Sequence, residues 1–116
     1  MAEPICHVEL QVADVARCRA FYAAAFGWTA RPATADYEWL DLGGPVTGGL
    51  MARKPDRPAG LTVFLAVTDL DAALARVCAA GGTVAQAPKV VAGHGRYALV
   101  LDPEGNRLGL WERAAP

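Results

Sequence analysis

Residues 6–12 read Cys-His-Val-Glu-Leu-Gln-Val, with polar and apolar side chains in strict alternation. That is the period-two pattern of a strand with two unlike faces. Val8, Leu10 and Val12 share the face that wants a core, whereas His7, Glu9 and Gln11 share a face that meets either water or a pocket. Asp14 follows as a helix N-cap. Val15, Cys18, Tyr22, Ala25 and Phe26 then recur at helical spacing, with Phe21 on the flank, and Gly27 supplies the residue that tolerates a positive φ at the helix stop. Three short strands are predicted over 28–31, 37–42 and 48–53, separated by turn material at 32–34 and 43–45. Residues 54–60 are polar and proline-rich, and read as a linker.

Beyond the linker the pattern repeats. Val63, Leu65 and Val67 fall on Val8, Leu10 and Val12, Asp69 falls on the cap Asp14, and Gly82 falls on the stop Gly27. Leu70, Ala73, Leu74, Val77 and Ala80 form the second helical stripe, ended by Gly81-Gly82. The tails match as well, Tyr37 with Tyr97, Gly49 with Gly109, Leu50 with Leu110 and Arg53 with Arg113, once extra residues are placed in a loop over 88–95. Asp102-Pro103-Glu104-Gly105-Asn106 is a turn between strands at 97–101 and 108–112. A repeat of this kind decides the architecture. The chain is predicted to be one α+β domain over 1–116, built from two tandem βαβββ modules at about 5–53 and 61–113. Neither module closes a core alone. Their curved mixed sheets are expected to complete each other around a cleft, within a chain or between chains, with the helices outside and His7, Glu9 and Gln11 facing the cleft.

Composition narrows the function classes. A net charge of −1 and a pI near 6.1 give no electrostatic footprint for nucleic acid or an anionic membrane. No signal-peptide pattern opens the chain, and no apolar run approaches the roughly 20 residues of a membrane span. A cytoplasmic protein without nucleic-acid or membrane partners is expected. Cys6, Cys18 and Cys78 have no metal-type spacing and are read as buried or half-buried thiols in a reducing compartment. The chain contains no serine, which excludes a serine nucleophile. Gly43-Gly44-Pro45 precedes no helix, so it is no phosphate loop.

Three stretches carry a family resemblance: His7-Val-Glu-Leu-Gln-Val-Ala-Asp with its helix ending Phe21-Tyr22-Ala-Ala-Ala-Phe26-Gly27-Trp28; Asp69-Leu-Asp-Ala-Ala-Leu-Ala-Arg76 running to Gly81-Gly82; and the terminal Asp102-Pro103-Glu104-Gly105-Asn106-Arg107-Leu108-Gly109-Leu110-Trp111-Glu112. Together they make the chain similar to the vicinal oxygen chelate superfamily of glyoxalase I, extradiol dioxygenases and bleomycin resistance proteins, and within it to the group related to lactoylglutathione lyase. In metal-dependent members, His and Glu side chains from the first and last strand of each module hold a divalent ion. Carried over, those positions are His7, Gly49, Thr62 and Gly109. Glycine offers no side chain, and a threonine hydroxyl is a poor ligand for such ions. The expectation is therefore no metal or other cofactor, the alternative being a divalent site rebuilt around His7 and Glu9.

The candidate catalytic residues are His7 and Glu9, a carboxylate near an imidazole being expected to raise the histidine pKa and to form a proton-transfer pair. Candidate ligand contacts are Gln11, Tyr37, Trp39, Asp41, Phe64, His94 and Trp111. Two aromatics and an acid alternating over 37–41 suit a flat, cationic organic ligand, and Gly48-Gly49 and Gly109 are read as enlarging the cleft floor. His94, flanked by glycines, is a candidate lid contact. The resemblance implies a homodimer with a metal-independent pocket that binds or sequesters an aromatic metabolite or antibiotic. The alternatives are a glyoxalase-like lyase or isomerase using His7 and Glu9, with or without a metal, and a degenerate module that only stabilises a partner.

Overall fold

A computed structural model describes residues 2–55 and 60–115. The chain is of α+β type, with ten elements in the order β1 (Ile5–Val12), α1 (Val15–Phe26), β2 (Thr29–Pro32), β3 (Tyr37–Asp41), β4 (Thr47–Ala52), β5 (Gly60–Ala66), α2 (Leu70–Ala79), β6 (Thr83–Val91), β7 (Gly95–Leu101) and β8 (Arg107–Arg113). The strand-helix-three-strand pattern thus occurs twice, as the repeat requires. Four residues of the predicted linker, 56–59, lie outside the described residues.

Two compact units form, one over residues 6–62 and the other over 63–115 together with residues 2–5. In the N-terminal unit the strands run β2-β3-β4-β1, with β1 parallel to β4 and the other pairs antiparallel. Asp14 caps α1 by accepting the Arg17 N–H at 3.0 Å, and Gly27 ends it at a φ of 71°. Leu10, Leu40 and Leu50 form the core, with Val15, Cys18 and Tyr22 of α1 packed over them. Leu50 is completely buried, a site where truncation to alanine costs about 2–5 kcal/mol. The helical stripe is shorter than the spacing suggests. Phe21 and Phe26 are both more than half exposed. Val15, Cys18 and Tyr22 are the residues of α1 that pack on the core, and the two phenylalanine rings instead meet edge to face at 6.0 Å.

The C-terminal unit has the same order, β6-β7-β8-β5, with β5 parallel to β8. Leu70 and Ala73 of α2 seat against Val67, Ala98, Val100 and Leu110. Asp69 caps this helix through the Ala72 N–H, and Glu112 of β8 accepts the Leu70 N–H at 2.6 Å. Two of the donors that every helix start leaves without an intrahelical acceptor are thereby satisfied. Arg96 holds Glu112 at 2.8 Å and Asp71 at 3.0 Å, tying β7, β8 and the first turn of α2 together. The terminal turn is as read: Asp102 accepts from the N–H groups of Glu104 and Asn106, and Gly105 takes a φ of 87°.

The loop predicted over 88–95 is a correction. Residues 88–91 are strand, and the extra length is absorbed by two register shifts in β6 and a tight turn before Gly95. A bulge adds residues to one strand without breaking the pairing, and the sequence repeat does not distinguish that from a loop. Residues 2–5 also depart from the modular reading, since the Pro4 carbonyl accepts the Ala66 N–H at 2.9 Å and Glu3 pairs with Arg76. Cys6 and Cys18 are half-buried as expected, but Cys78 is exposed.

Candidate functional site

Strand alternation puts His7, Glu9 and Gln11 of β1 on the face opposite Leu10, and the parallel register sets His7 beside Thr47 and Glu9 beside Gly49. On β3, Tyr37 and Trp39 share that face, with Trp39 directly across from Gly49. The result is a connected group. His7 Nδ1 lies 2.6 Å from the Thr47 hydroxyl, and His7 Nε2 lies 2.7 Å from the Tyr37 hydroxyl. Trp39 meets both rings edge to face, at 5.9 Å from His7 and 5.5 Å from Tyr37.

One tautomer of His7 satisfies both of its ring hydrogen bonds together with the Thr47 bond to Cys6. The Thr47 hydroxyl donates to the Cys6 carbonyl at 3.2 Å, so its oxygen is left to accept the His7 Nδ1–H. Nε2 of a neutral ring then offers a lone pair, and the Tyr37 hydroxyl donates to it. Burial pushes the His7 pKa below the usual histidine value, which favours that neutral form. This reverses the rise expected from a neighbouring carboxylate: desolvation governs the imidazole. Glu9 is engaged along its own strand, where it accepts from Gln11 Nε2 at 2.8 Å, and Gln11 is buried.

The glycines correct a second expectation. A Cβ on Gly49 would fall inside the Tyr37 phenol, and a Cβ on Gly109 would fall inside the Phe64 ring. Neither glycine enlarges a floor, because an aromatic ring from a neighbouring position already fills the space. Such cross-strand cover of a strand glycine is a known way to restore packing that the missing side chain forfeits. In the C-terminal unit Phe64 is buried, pairs in register with Gly109, and meets Tyr97 edge to face at 6.1 Å.

The remaining candidates are dispersed. Asp41 sits at the exposed end of β3 and accepts the Gly43 N–H at 2.8 Å, a turn-forming role. Trp111 is half-buried on β8, opposite Tyr97. His94 is exposed in the tight turn before β7, where its backbone bonds Val91 and Ala114. That turn borders a shallow recess of about 230 Å³ walled by Val90, Val91, Arg96 and Glu112. Thr47 is the residue the sequence reading missed, and its signal was its place beside His7 once β1 and β4 pair in parallel.

The residues at the four ligand positions of the superfamily do not suit a divalent ion. Two are glycines covered by aromatic rings, Thr62 offers a hydroxyl, and the His7 lone pair receives the Tyr37 hydrogen bond. Zinc and similar ions take three or four protein ligands. Among the described residues, no three His, Cys, Asp or Glu side chains cluster, and no helix is long and apolar enough to cross a membrane.

Paired βαβββ units of this order define a protein of the vicinal oxygen chelate type. Residues 7–111 match the glyoxalase-like domain family, and the chain belongs to that family. The anthracycline biosynthesis protein DauV of Streptomyces sp. strain C5 is 32% identical over 86% of this chain and 43% of its own length. The chain thus spans less than half of the curated relatives it matches. Among solved structures, a Mn(II)-bound glyoxalase from Novosphingobium aromaticivorans is 26% identical with a TM-score of 0.69, covering 97% of this chain and 42% of that one. Methylmalonyl-CoA epimerase from Mycobacterium tuberculosis shares the fold at 20% identity with a TM-score of 0.75, over 96% and 88% of the two chains.

Proposed function

We propose that this glyoxalase-like domain binds a planar organic molecule on the face of the N-terminal unit that carries Trp39, Tyr37 and His7, without a divalent ion at His7. The observation that carries this reading is the engagement of both His7 ring nitrogens by Thr47 and Tyr37. An imidazole so held presents an aromatic edge and a neutral surface, in place of a metal-binding lone pair. Trp39 adds a large, rigid contact of low conformational cost. The relative named for anthracycline biosynthesis supports a fused-ring aromatic as the ligand class.

Family membership keeps a lyase or isomerase reading in play, and the Mn(II)-bound glyoxalase likeness is its support. Against it stand the depressed basicity of His7 and the binding of Glu9 to Gln11. The experiment is a titration of the full chain with 1,4-dihydroxyanthraquinone, read by tryptophan fluorescence and by melting temperature. Saturable binding that raises the melting temperature by mass action, and weakens tenfold or more in Trp39→Ala, is expected. If neither this compound nor its nitrogen-containing analogues bind, the reading fails. Turnover that depends on a stoichiometric divalent ion and on His7 would replace it with the lyase reading.

A further inference from the structure

We infer that Tyr37 is the residue that excludes a divalent cation from His7, and so decides whether this face takes an organic molecule or a metal ion. The inference rests on the proposed metal-free reading and names the group responsible for it. A metal ion needs the lone pair of a neutral imidazole nitrogen. Both ring nitrogens of His7 are engaged, Nδ1 by the Thr47 hydroxyl at 2.6 Å and Nε2 by the Tyr37 hydroxyl at 2.7 Å. In the tautomer whose Nδ1–H bonds Thr47, it is Tyr37 that meets the lone pair a metal would need. The same phenol fills the volume in which any side chain at position 49 would begin. A carboxylate side chain at 49 therefore requires the Tyr37 phenol to move, so one tyrosine stands against both the existing ligand and the place of a second.

The C-terminal unit carries the corresponding arrangement with different chemistry. Gly109 is covered by Phe64, a ring with no polar atom, so the matching position is closed by hydrocarbon. Of the two covering rings, only Tyr37 makes a hydrogen bond to a histidine. Of these two rings, Tyr37 is therefore the one whose removal both frees a donor and opens room for another.

The test is a Ni(II) titration of the full chain by calorimetry, with Tyr37→Ala/Gly49→Glu compared with the unaltered protein. The double variant is expected to bind at least tenfold more tightly, and to lose that gain when His7→Ala is added. Stoichiometric Ni(II) uptake by the unaltered protein that His7→Ala abolishes would overturn the inference, as would a folded double variant that binds no better. Should the double variant not fold, Tyr37→Phe decides, since it keeps the ring over Gly49 and removes only the hydroxyl. The His7 ring signals in NMR should then broaden at Mn(II) concentrations at least tenfold lower than in the unaltered protein, and equal broadening would overturn the inference. Failure of the anthraquinone to bind while these metal results hold would remove the proposed ligand class and leave the role of Tyr37 standing.

Discussion

The hydroxyl of Tyr37 and the absent side chain of Gly49 occupy one and the same volume. Gly49→Ala is therefore an overpacking substitution, although the glycine has no left-handed backbone to defend. Urea denaturation should show a loss of about 1–3 kcal/mol. In a Tyr37→Ala background the added methyl has room, so the cost should fall sharply. A double-mutant cycle should report strong coupling, as for any pair in direct contact. Additive costs would show that Tyr37 does not stand over Gly49.

Phe64 and Gly109 supply an independent version of the same test. Phe64 is buried, so Phe64→Ala should cost about 3–5 kcal/mol. Gly109→Ala should be damaging alone and nearly silent in the Phe64→Ala protein. Thermal melts of the four proteins check it, and a Gly109→Ala cost that persists without the ring would refute the packing described.

The histidine makes stability depend on pH in a defined direction. Burial holds the folded pKa of His7 below the unfolded value of about 6.5. Between the two values the unfolded chain binds more protons than the folded one, so stability rises with pH there. The contribution is complete above the unfolded pKa and is lost as the pH falls through the folded pKa. His7→Gln should flatten the melting-temperature profile in that window. The steeper loss at lower pH, where Glu38, Asp102 and Glu112 with depressed pKa values become protonated, should remain.

The start of α2 is the other sensitive point. Asp69→Ala removes a cap and should cost about 1 kcal/mol. Glu112→Gln keeps a side-chain oxygen for the Leu70 N–H but loses the charge that Arg96 pairs with. It should lower the melting temperature above the carboxylate range and converge with the unaltered protein below it. Equal deficits at both ends of the pH range would contradict the ion-pair assignment.

The legible part of this structure was the periodic part. Alternation in β1, the caps Asp14 and Asp69 and the glycine stop of α1 are local signals, and the repeat joined them into two like units. What was not legible depended on which side chains meet across strands. Thr47 and Tyr37 reach His7 only once β1, β3 and β4 are paired in register. A glycine in a strand reads equally as an opening or as a seat for a neighbouring ring, and the sequence alone does not say which. Phe26 matched the helical period but is exposed and packs on the rings of Phe21 and Trp28 instead of in the core, since periodicity says which face a residue takes and not what covers it. The turn bearing His94 looked long because strand residues in an irregular β6 were taken as loop.

The hydrogen bond from Ala66 to Pro4 and the ion pair between Glu3 and Arg76, residues 73 positions apart, make the first few amino acids part of the unit that is synthesised last. The N-terminal unit is therefore an insertion in connectivity, entered from and returned to its neighbour. Such contacts close a long loop of chain, an entropic cost that grows with the length of flexible chain between them. A fragment cut at the linker would consequently strip the second half of its opening segment while leaving the first half with a tail that belongs elsewhere, so neither piece is a faithful proxy for the intact chain.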